Sequence, residues 1–141
     1  MAGITKEQLI ELLNKDLGLE YTAMVQYIQH QGVLKGAMYQ SIAKELAIHA
    51  QEELQHAITL CSQIDYLGGV PTVVMPPARV SGDNVTMLEQ DLDGENDAIA
   101  RYIARIGQAE ELHLYHLAHQ LRNILAVEQE HAMDLEQALG K

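Results

Sequence analysis

The sequence has no tryptophan and no phenylalanine, and it contains only one cysteine and three prolines. One thiol excludes an internal disulfide, a four-cysteine zinc site and a self-contained rubredoxin-type iron centre, because each of these needs at least two cysteines. Only nine lysines and arginines stand against 20 acidic residues, and the net charge of −11 disfavours nucleic-acid binding. Any metal in this chain must therefore be held by oxygen and nitrogen.

Long apolar runs are also missing. No stretch approaches the roughly 20 apolar residues that a membrane-spanning helix needs, and the N-terminus lacks the basic region and apolar run of a secretion signal. We therefore expect a cytoplasmic protein without a membrane partner. The 141 residues suffice for one sizeable core, so residues 1–141 are expected to form a single domain.

Helix-forming residues dominate what is present, because leucine, alanine, glutamate, glutamine and methionine are all abundant. Thr5 and Gln8 have the spacing of a helix-starting capping box, and Ser81 or Asp83 can cap a later helix. Helix breakers then separate four segments. The predicted helices cover about 5–34, about 37 to the Gly68-Gly69 pair, 81 or 83 to about 107–110, and from there to about 139.

The segment GGVPTVVMPPARVSGD, between the second and third predicted helices, is the only long irregular stretch. A helix of about 28 residues is about 42 Å long, and about 16 extended residues can span about 53 Å. The segment can therefore run the full length of a bundle, whereas the other two links are short. We predict an all-α fold, an antiparallel four-helix bundle of two helical hairpins joined by one long crossover.

Glutamates interrupt the apolar seam of every predicted helix. Steps of three and four residues keep each seam on one core-facing stripe. The first and third helices each carry a lone glutamate in the seam, and the second and fourth each carry a Glu-x-x-His motif. These candidate metal ligands are Glu20, Glu53, His56, Glu95, Glu128 and His131.

The two halves of the chain repeat this pattern at a separation of 75 positions, as Glu20 with Glu95 and Glu53 with Glu128 show. A glutamate and a histidine three positions apart on a helix can converge on one point. Four carboxylates buried together would be costly or would have to be protonated, and two divalent cations remove that difficulty. Carboxylates with one imidazole per metal suit Fe(II), Mn(II) or Zn(II).

The stretches LGLEYTAMVQY, HAQEELQH, LEQDLDGEN and LAVEQEH resemble bacterioferritins within the ferritin-like di-iron superfamily. The paired Tyr27 and Tyr102 also resemble rubrerythrins. These tyrosines could hydrogen-bond the carboxylate ligands or relay electrons, but they fit equally well as core aromatics, and we assign them no catalytic role. The resemblance covers nearly all of the chain. It implies that Glu20 and His56 are terminal ligands of one iron, Glu95 and His131 of the other, and that Glu53 and Glu128 bridge the two.

The resemblance further implies a ferroxidase that binds two iron ions per subunit and oxidises Fe(II) to Fe(III) with dioxygen or hydrogen peroxide, with or without iron storage. A homo-oligomer, dimer or larger, is expected. Two alternatives remain open. One is a di-iron or manganese–iron oxidase or peroxidase of the rubrerythrin type, fed by an external electron donor. The other is a non-catalytic helical assembly module stabilised by metals.

Several positions depart from the bacterioferritin pattern. Leu54 stands where bacterioferritins carry the haem-binding methionine, so we expect no haem. Val127 replaces an acidic residue that supports a ligand histidine, so that support must come from Glu52 or elsewhere. The sequence ends at Lys141, shortly after the fourth predicted helix, whereas cage-forming relatives carry a further short helix, and formation of a storage cage is left open.

The remaining histidines and the cysteine are given structural interpretations. His113, His116 and His119 fall early in the fourth predicted helix, where six residues of helix rotate the outer two apart, so they are not interpreted as a metal site. Cys61 is interpreted as a small buried hydrophobic residue. His49 lies in the seam of the second helix and is left without a function.

Overall fold

The computed structural model describes residues 3–141, so the first two residues of the predicted 1–141 domain lie outside it. Across the described residues the chain forms four α-helices, one turn of 3-10 helix and no strand. The prediction of an all-α fold is confirmed. The helices are α1 (Lys6–Val33), α2 (Gln40–Tyr66), α3 (Asn84–Glu111) and α4 (Tyr115–Ala138), with the 3-10 turn at Ala37–Tyr39.

Helices α1 and α2 form one hairpin, α3 and α4 form the second, and residues 67–83 connect the two hairpins. Helix α1 also packs on α3, and α2 on α4, which closes the four-helix bundle. The predicted hairpin topology with a long crossover is therefore confirmed. None of the helices in residues 3–141 has the length and apolar character that crossing a membrane requires.

Side-chain caps start two of the helices as the sequence predicts. The Gln8 N–H donates to Thr5 Oγ1 (3.1 Å) while the Thr5 N–H donates to Gln8 Oε1 (2.9 Å), so the capping box is complete. Asp83 caps α3 by accepting from the Thr86 N–H at 2.9 Å. Ser81, the other candidate, instead accepts from the Asp83 N–H at 3.0 Å.

The boundary between the third and fourth helices differs from the prediction. Helix α3 continues to Glu111 and α4 begins only at Tyr115, with a non-helical turn between them. His113 lies in this turn at a φ of 60°, so it does not share a helix with His116 and His119 as the sequence suggested. Its Nδ1 lies 3.2 Å from the Tyr115 hydroxyl.

The turn is a Schellman motif without the glycine that normally marks one. The His113 N–H donates to the Glu110 carbonyl and the Leu114 N–H to the Ala109 carbonyl, both at 2.9 Å. Glycine usually occupies the left-handed position of this motif, and here histidine does. The predicted end at about 107–110 relied on Gly107, which lies inside the helix.

The apolar core forms two clusters with the seam glutamates between them. One cluster contains Leu13, Leu60 and Leu121, and the other contains Leu46 and Leu135, among others. On each helix the glutamate falls between residues of the first cluster and residues of the second. Packing on both sides therefore fixes the glutamates in the middle of the bundle.

The crossover runs along the outside of α1 and is held by hydrogen bonds in regular order. Cys61 on α2, predicted to be buried, is only partly buried. Its Sγ lies 3.6 Å from the Tyr21 hydroxyl, which also bonds to the crossover. Positions farther along α1 contact positions farther along the crossover, as expected for a strap that spans the bundle. These bonds join Asn14 to Val70, Tyr21 to Thr72, Thr22 to Pro76 and Gln26 to Arg79.

The crossover passes so close to α1 that a side chain at Gly18 has no room. A Cβ atom there would lie 2.9 Å from the Val74 carbonyl oxygen, whereas a Cβ at Gly107, in α3, would meet nothing within 4 Å. Alanine normally stabilises a helix interior relative to glycine. We expect Gly18→Ala to lower the free energy of unfolding by about 1–2 kcal/mol because the backbone contact must open.

Gly107→Ala is the matched control, and it is expected to raise the free energy of unfolding by about 0.5–1 kcal/mol. Urea denaturation followed by circular dichroism measures both variants. Equal stabilisation by the two substitutions would show that the crossover does not press on α1 at Gly18.

Candidate metal centre

The bundle brings the six predicted seam residues together, and each is at most 6% exposed. Their potential ligand atoms form two groups, within each of which the atoms lie within 4.8 Å of one another. Two glutamates, Glu53 and Glu128, belong to both groups. The first group adds Glu20 and His56, and the second adds Glu95 and His131.

The first histidine faces three carboxylates. His56 Nδ1 lies 2.9 Å from Glu53 Oε1, 3.5 Å from Glu128 Oε1 and 3.6 Å from Glu20 Oε2. Each carboxylate comes from a different helix. The arrangement leaves one point surrounded by a single imidazole and several carboxylate oxygens.

The second histidine has the corresponding surroundings. His131 Nδ1 lies 3.1 Å from Glu95 Oε2, 3.5 Å from Glu128 Oε1 and 4.0 Å from Glu53 Oε1. The same oxygens of Glu53 and Glu128 therefore lie near both imidazoles. This geometry fits two adjacent cations with two carboxylates shared between them.

The protein does not satisfy these atoms by itself. One oxygen of each glutamate and one ring nitrogen of a histidine are buried and make no hydrogen bond of suitable angle, although His56 Nδ1 and Glu53 Oε1 are 2.9 Å apart. Buried polar atoms normally have partners because leaving them unpaired costs free energy. Oxygen and nitrogen donors that all lack partners fit bound divalent cations. The atoms are Glu20 Oε2, Glu53 Oε1, Glu95 Oε1, Glu128 Oε1 and His56 Nδ1.

Burial and mutual repulsion shift the protonation of the cluster. Burial raises the pKa of Glu53 and of Glu128 well above the usual range, and neighbouring carboxylates raise it further. Burial likewise raises the pKa of Glu95. Burial alone would lower the pKa of His56 and His131, but the adjacent glutamates outweigh it and raise both. Cations entering this site would therefore displace protons.

Two tyrosines hold the lone glutamates in place. The Tyr102 hydroxyl donates to Glu20 Oε1 at 2.5 Å, and the Tyr27 hydroxyl donates to Glu95 Oε2. Burial raises the pKa of both phenols well above the usual range, so they remain hydrogen-bond donors. The sequence left these tyrosines as core aromatics or as partners of the carboxylates, and the structure shows that they are both.

A buried ion pair near the centre was missed by the sequence analysis. Asp16, one helical turn before Glu20, is fully buried and accepts from Arg105 Nε and from Arg101, each at 2.7 Å. These bonds tie α1 to α3 one helical turn away from Glu20. Each residue alone resembles an ordinary surface charge, so sequence patterns do not predict this ion pair.

The equivalent aspartate in the second half of the chain is also held by two side chains, but neither of them is an arginine. Asp91 stands 75 positions after Asp16 and accepts from Gln26 at 2.9 Å. His30 Nδ1 lies 2.9 Å from the second Asp91 oxygen. Gln26 and His30 also stand 75 positions before the two arginines. The repeat at 75 positions, when extended beyond the glutamates, pairs Asp16 with Asp91 and so points to these two buried aspartates.

The two ligand histidines differ in their outer contacts. His131 Nε2 lies 3.1 Å from Glu52 Oε1, so Glu52, one of the sources of support that the sequence left open, contacts this histidine. The corresponding position in the second half is Val127, and no carboxylate within residues 3–141 pairs with His56 Nε2. The two halves of the site are therefore inequivalent.

His49 adds to this inequivalence. Its ring stacks on that of His131, with the centroids 3.8 Å apart, and its Nε2 lies 3.2 Å from Asp134 Oδ2. Burial lowers the pKa of His49 to about 4, so the imidazole is neutral near pH 7. The equivalent position in the other half is Ile124, so only one side of the site has this second imidazole.

Small side chains leave a cavity over the lone glutamates. It has a volume of about 80 Å³ and lies between α1 and α3, where Ala23, Gly94 and Ala98 form part of its wall. Glu20 and Glu95 line it, together with Glu53 and Glu128. The cavity holds a few water-sized molecules.

Comparison with known proteins gives consistent matches. The model of the ferritin-like domain family matches residues 10–141. The chain is 36% identical to a bacterioferritin of Brucella melitensis over 67% of its own length. This match covers only 60% of the Brucella protein.

Two solved structures share the fold. A ferritin-like di-iron carboxylate protein of Bacillus anthracis superposes with a TM-score of 0.91 at 31% identity, covering 95% of this chain and 96% of that one. A bacterioferritin-related protein of Bacteroides fragilis, described as a dodecameric thioferritin, superposes with a TM-score of 0.90 at 30% identity. That match covers 97% of this chain and 87% of the Bacteroides protein.

Proposed function

Because the chain belongs to the ferritin-like domain family, we propose that it is a bacterioferritin-like ferroxidase that oxidises Fe(II) to Fe(III) with dioxygen or hydrogen peroxide. The observation that carries the proposal is the pair of overlapping ligand groups that share Glu53 and Glu128. A single metal would not need two groups. Two substrate ions side by side would use both, with the shared carboxylates between them.

The proposal assigns each seam residue one role. When deprotonated, the four carboxylates supply four negative charges, which equal the positive charge of two Fe(II) ions. The buried cluster then becomes neutral overall, which removes the cost of burying it. In this proposal Glu20 and His56 bind one ion, Glu95 and His131 bind the other, and Glu53 and Glu128 bridge them.

Two Fe(II) ions held together can deliver two electrons to one oxidant. Two electrons and two protons convert dioxygen to hydrogen peroxide, or hydrogen peroxide to two water molecules. The protein contributes by placing both ions in one buried site and by positioning the lone glutamates through Tyr27 and Tyr102. Different support for His56 and His131 makes unequal affinities at the two positions part of the proposal.

The cavity favours a small oxidant over an organic substrate. Its volume of about 80 Å³ is far below the roughly 300 Å³ or more of typical sites for organic ligands. Dioxygen and hydrogen peroxide fit such a space. A purely structural module is also less consistent with the site, since an apolar seam would stabilise a bundle better than four buried carboxylates.

We propose that the protein acts as a homo-oligomer. Helices α1 and α2 expose apolar side chains, including Ile28 at 51%, Leu54 at 46% and Ile58 at 51%. Apolar side chains grouped on one surface favour contact with another chain. The related Bacteroides protein is described as dodecameric.

An oxidation assay tests the proposed activity. Metal-depleted protein is loaded with Fe(II) without oxygen, dioxygen or hydrogen peroxide is then admitted, and Fe(III) formation and protein-bound iron are followed together. We expect oxidation well above the protein-free rate and its loss in Glu128→Gln, which removes one shared carboxylate. The matched control is Glu130→Gln, on the exposed side of the same helix, which should oxidise iron like the unmodified protein.

Two results would count against parts of the proposal. Equal oxidation by the unmodified protein and Glu128→Gln would exclude the ferroxidase role. Iron uptake that stops once the sites inside the bundle are filled would exclude storage, whereas continued uptake into a soluble mineral would support it.

A further inference from the structure

A second set of potential ligands lies beside the six seam residues. Glu45 and His49 are one helical turn apart on α2, and Asp134 faces them from α4. One potential ligand atom from each of the three lies within 4.8 Å of the other two. None of the three residues belongs to the proposed ligands of the iron pair.

The donor spacing suits a metal. His49 Nε2 and Asp134 Oδ2 are 3.2 Å apart. Two donors that each bind one cation at about 2.1 Å, with an angle near a right angle, lie about 3.0 Å from each other. The observed separation is close to that value, so a cation can bind both atoms with little rearrangement.

His49 is not fully satisfied by the protein. It is 1% exposed, and its Nδ1 has no hydrogen-bond partner, so Asp134 is its only polar partner within residues 3–141. A buried imidazole normally has partners for both ring nitrogens. Nδ1 and Nε2 point to opposite sides of the ring, so the donor available to a cation beside Asp134 is the buried Nε2.

Charge also favours a cation at this position. Neither Glu45 nor Asp134 forms an ion pair with any lysine or arginine in the described part of the chain. No lysine or arginine of residues 3–141 therefore compensates these two carboxylates. Both carboxylates are only partly buried, so a cation can reach them from solvent.

We propose that Glu45, His49 and Asp134 bind a third divalent transition-metal cation in each subunit. The site lies next to the iron pair of the proposed function, because His49 stacks on His131, but it uses its own donors. One imidazole and two carboxylates suit Fe(II), Mn(II), Co(II) or Zn(II). The capacity of the subunit would then be three cations rather than two.

Zinc binding tests this third site without redox chemistry. Metal-depleted full-length protein is dialysed to equilibrium against Zn(II), and bound zinc per subunit is measured by atomic absorption. We expect three zinc ions for the unmodified protein and two for Asp134→Asn. Glu136→Gln removes one exposed carboxylate from the same helix and should keep all three.

Further variants keep the test decisive. If Asp134→Asn does not fold by circular dichroism, Glu45→Gln takes its place and is also expected to bind two zinc ions. Zinc binding by both Asp134→Asn and Glu45→Gln that equals that of the unmodified protein would overturn the third site, whatever the total. Glu53→Gln weakens the pair and should retain the zinc that Asp134→Asn loses. The two proposals can therefore fail separately. If the site for the iron pair does not exist, a single zinc ion that is lost in Asp134→Asn would still support the third site.

Discussion

The Glu53→Gln variant is expected to lose Fe(II) oxidation and, in the absence of metal, to be more stable than the unmodified protein near pH 7. Glu53 belongs to both ligand groups, so its loss affects both proposed iron positions. Glutamine has nearly the same shape but carries no negative charge, and its amide is a poor metal ligand. Fe(II) oxidation should fall to the rate measured without protein.

The gain in stability follows from the burial of the carboxyl group. Burial raises the pKa of Glu53 well above its usual range, so keeping this side chain in the folded state costs free energy near pH 7. One pKa unit corresponds to about 1.4 kcal/mol, and we expect Glu53→Gln to raise the free energy of unfolding in chelator by about 1–3 kcal/mol. Urea denaturation with chelator measures this difference.

Exposed Glu130→Gln is the control and should change the free energy of unfolding by less than about 0.5 kcal/mol. A Glu53→Gln variant that is less stable than the unmodified protein in chelator would contradict the account. That result would mean that Glu53 is held by favourable contacts within the protein rather than reserved for a cation.

The metal-free protein is expected to become less stable as the pH rises from about 5 to 8. Burial raises the folded-state pKa of Glu53, Glu95 and Glu128 above the ordinary 4.5. Below that pH both the folded and the unfolded state hold these protons, so the free energy of unfolding does not change with pH. Above it the unfolded chain releases protons that the folded chain keeps, so unfolding becomes more favourable, by up to about 1.4 kcal/mol per pH unit for each group.

The ligand histidines act in the same direction. Neighbouring glutamates raise the folded-state pKa of His56 and His131 above the ordinary 6.5, against the effect of burial. Their stabilising contribution is complete below that value and is lost as the pH rises through the folded-state pKa. Histidines and glutamates therefore both predict a stability that decreases towards higher pH.

Bound cations should reverse this trend, because they replace the protons and bind more strongly as protons leave. Each independent site adds about 4 kcal/mol when the cation concentration is about a thousand times its dissociation constant. Urea denaturation between pH 5 and 8, with chelator and with Zn(II), measures both series. A stability in chelator that increases with pH would contradict the protonation assigned to the cluster.

The fold was predictable because its signals are periodic or local. Seam residues recur every three or four positions, and the capping box at Thr5 and Gln8 lies within four residues of sequence. The length of the crossover fixed the topology, since a segment that long must join distant ends. The turn at His113 was not predictable in this way, because its left-handed position carries no glycine.

The candidate site was predictable to the extent that its residues share one seam. Glu20 and Glu53 are unusual there, because charged side chains seldom occupy core positions. Asp16 and Arg105 lie beside the seam, where either one alone is ordinary, and only their contact in three dimensions shows that they are buried partners. The stacking of His49 on His131 depends on how α2 and α4 face each other, which sequence spacing does not specify.

We propose that one subunit holds two iron ions between Glu53 and Glu128, and anomalous X-ray diffraction can locate both ions. Crystals loaded with Fe(II) without oxygen would be measured above and below the iron absorption edge. Two iron peaks are expected between these carboxylates, one beside His56 and the other beside His131. A single peak there, or iron bound only elsewhere on the protein, would contradict it.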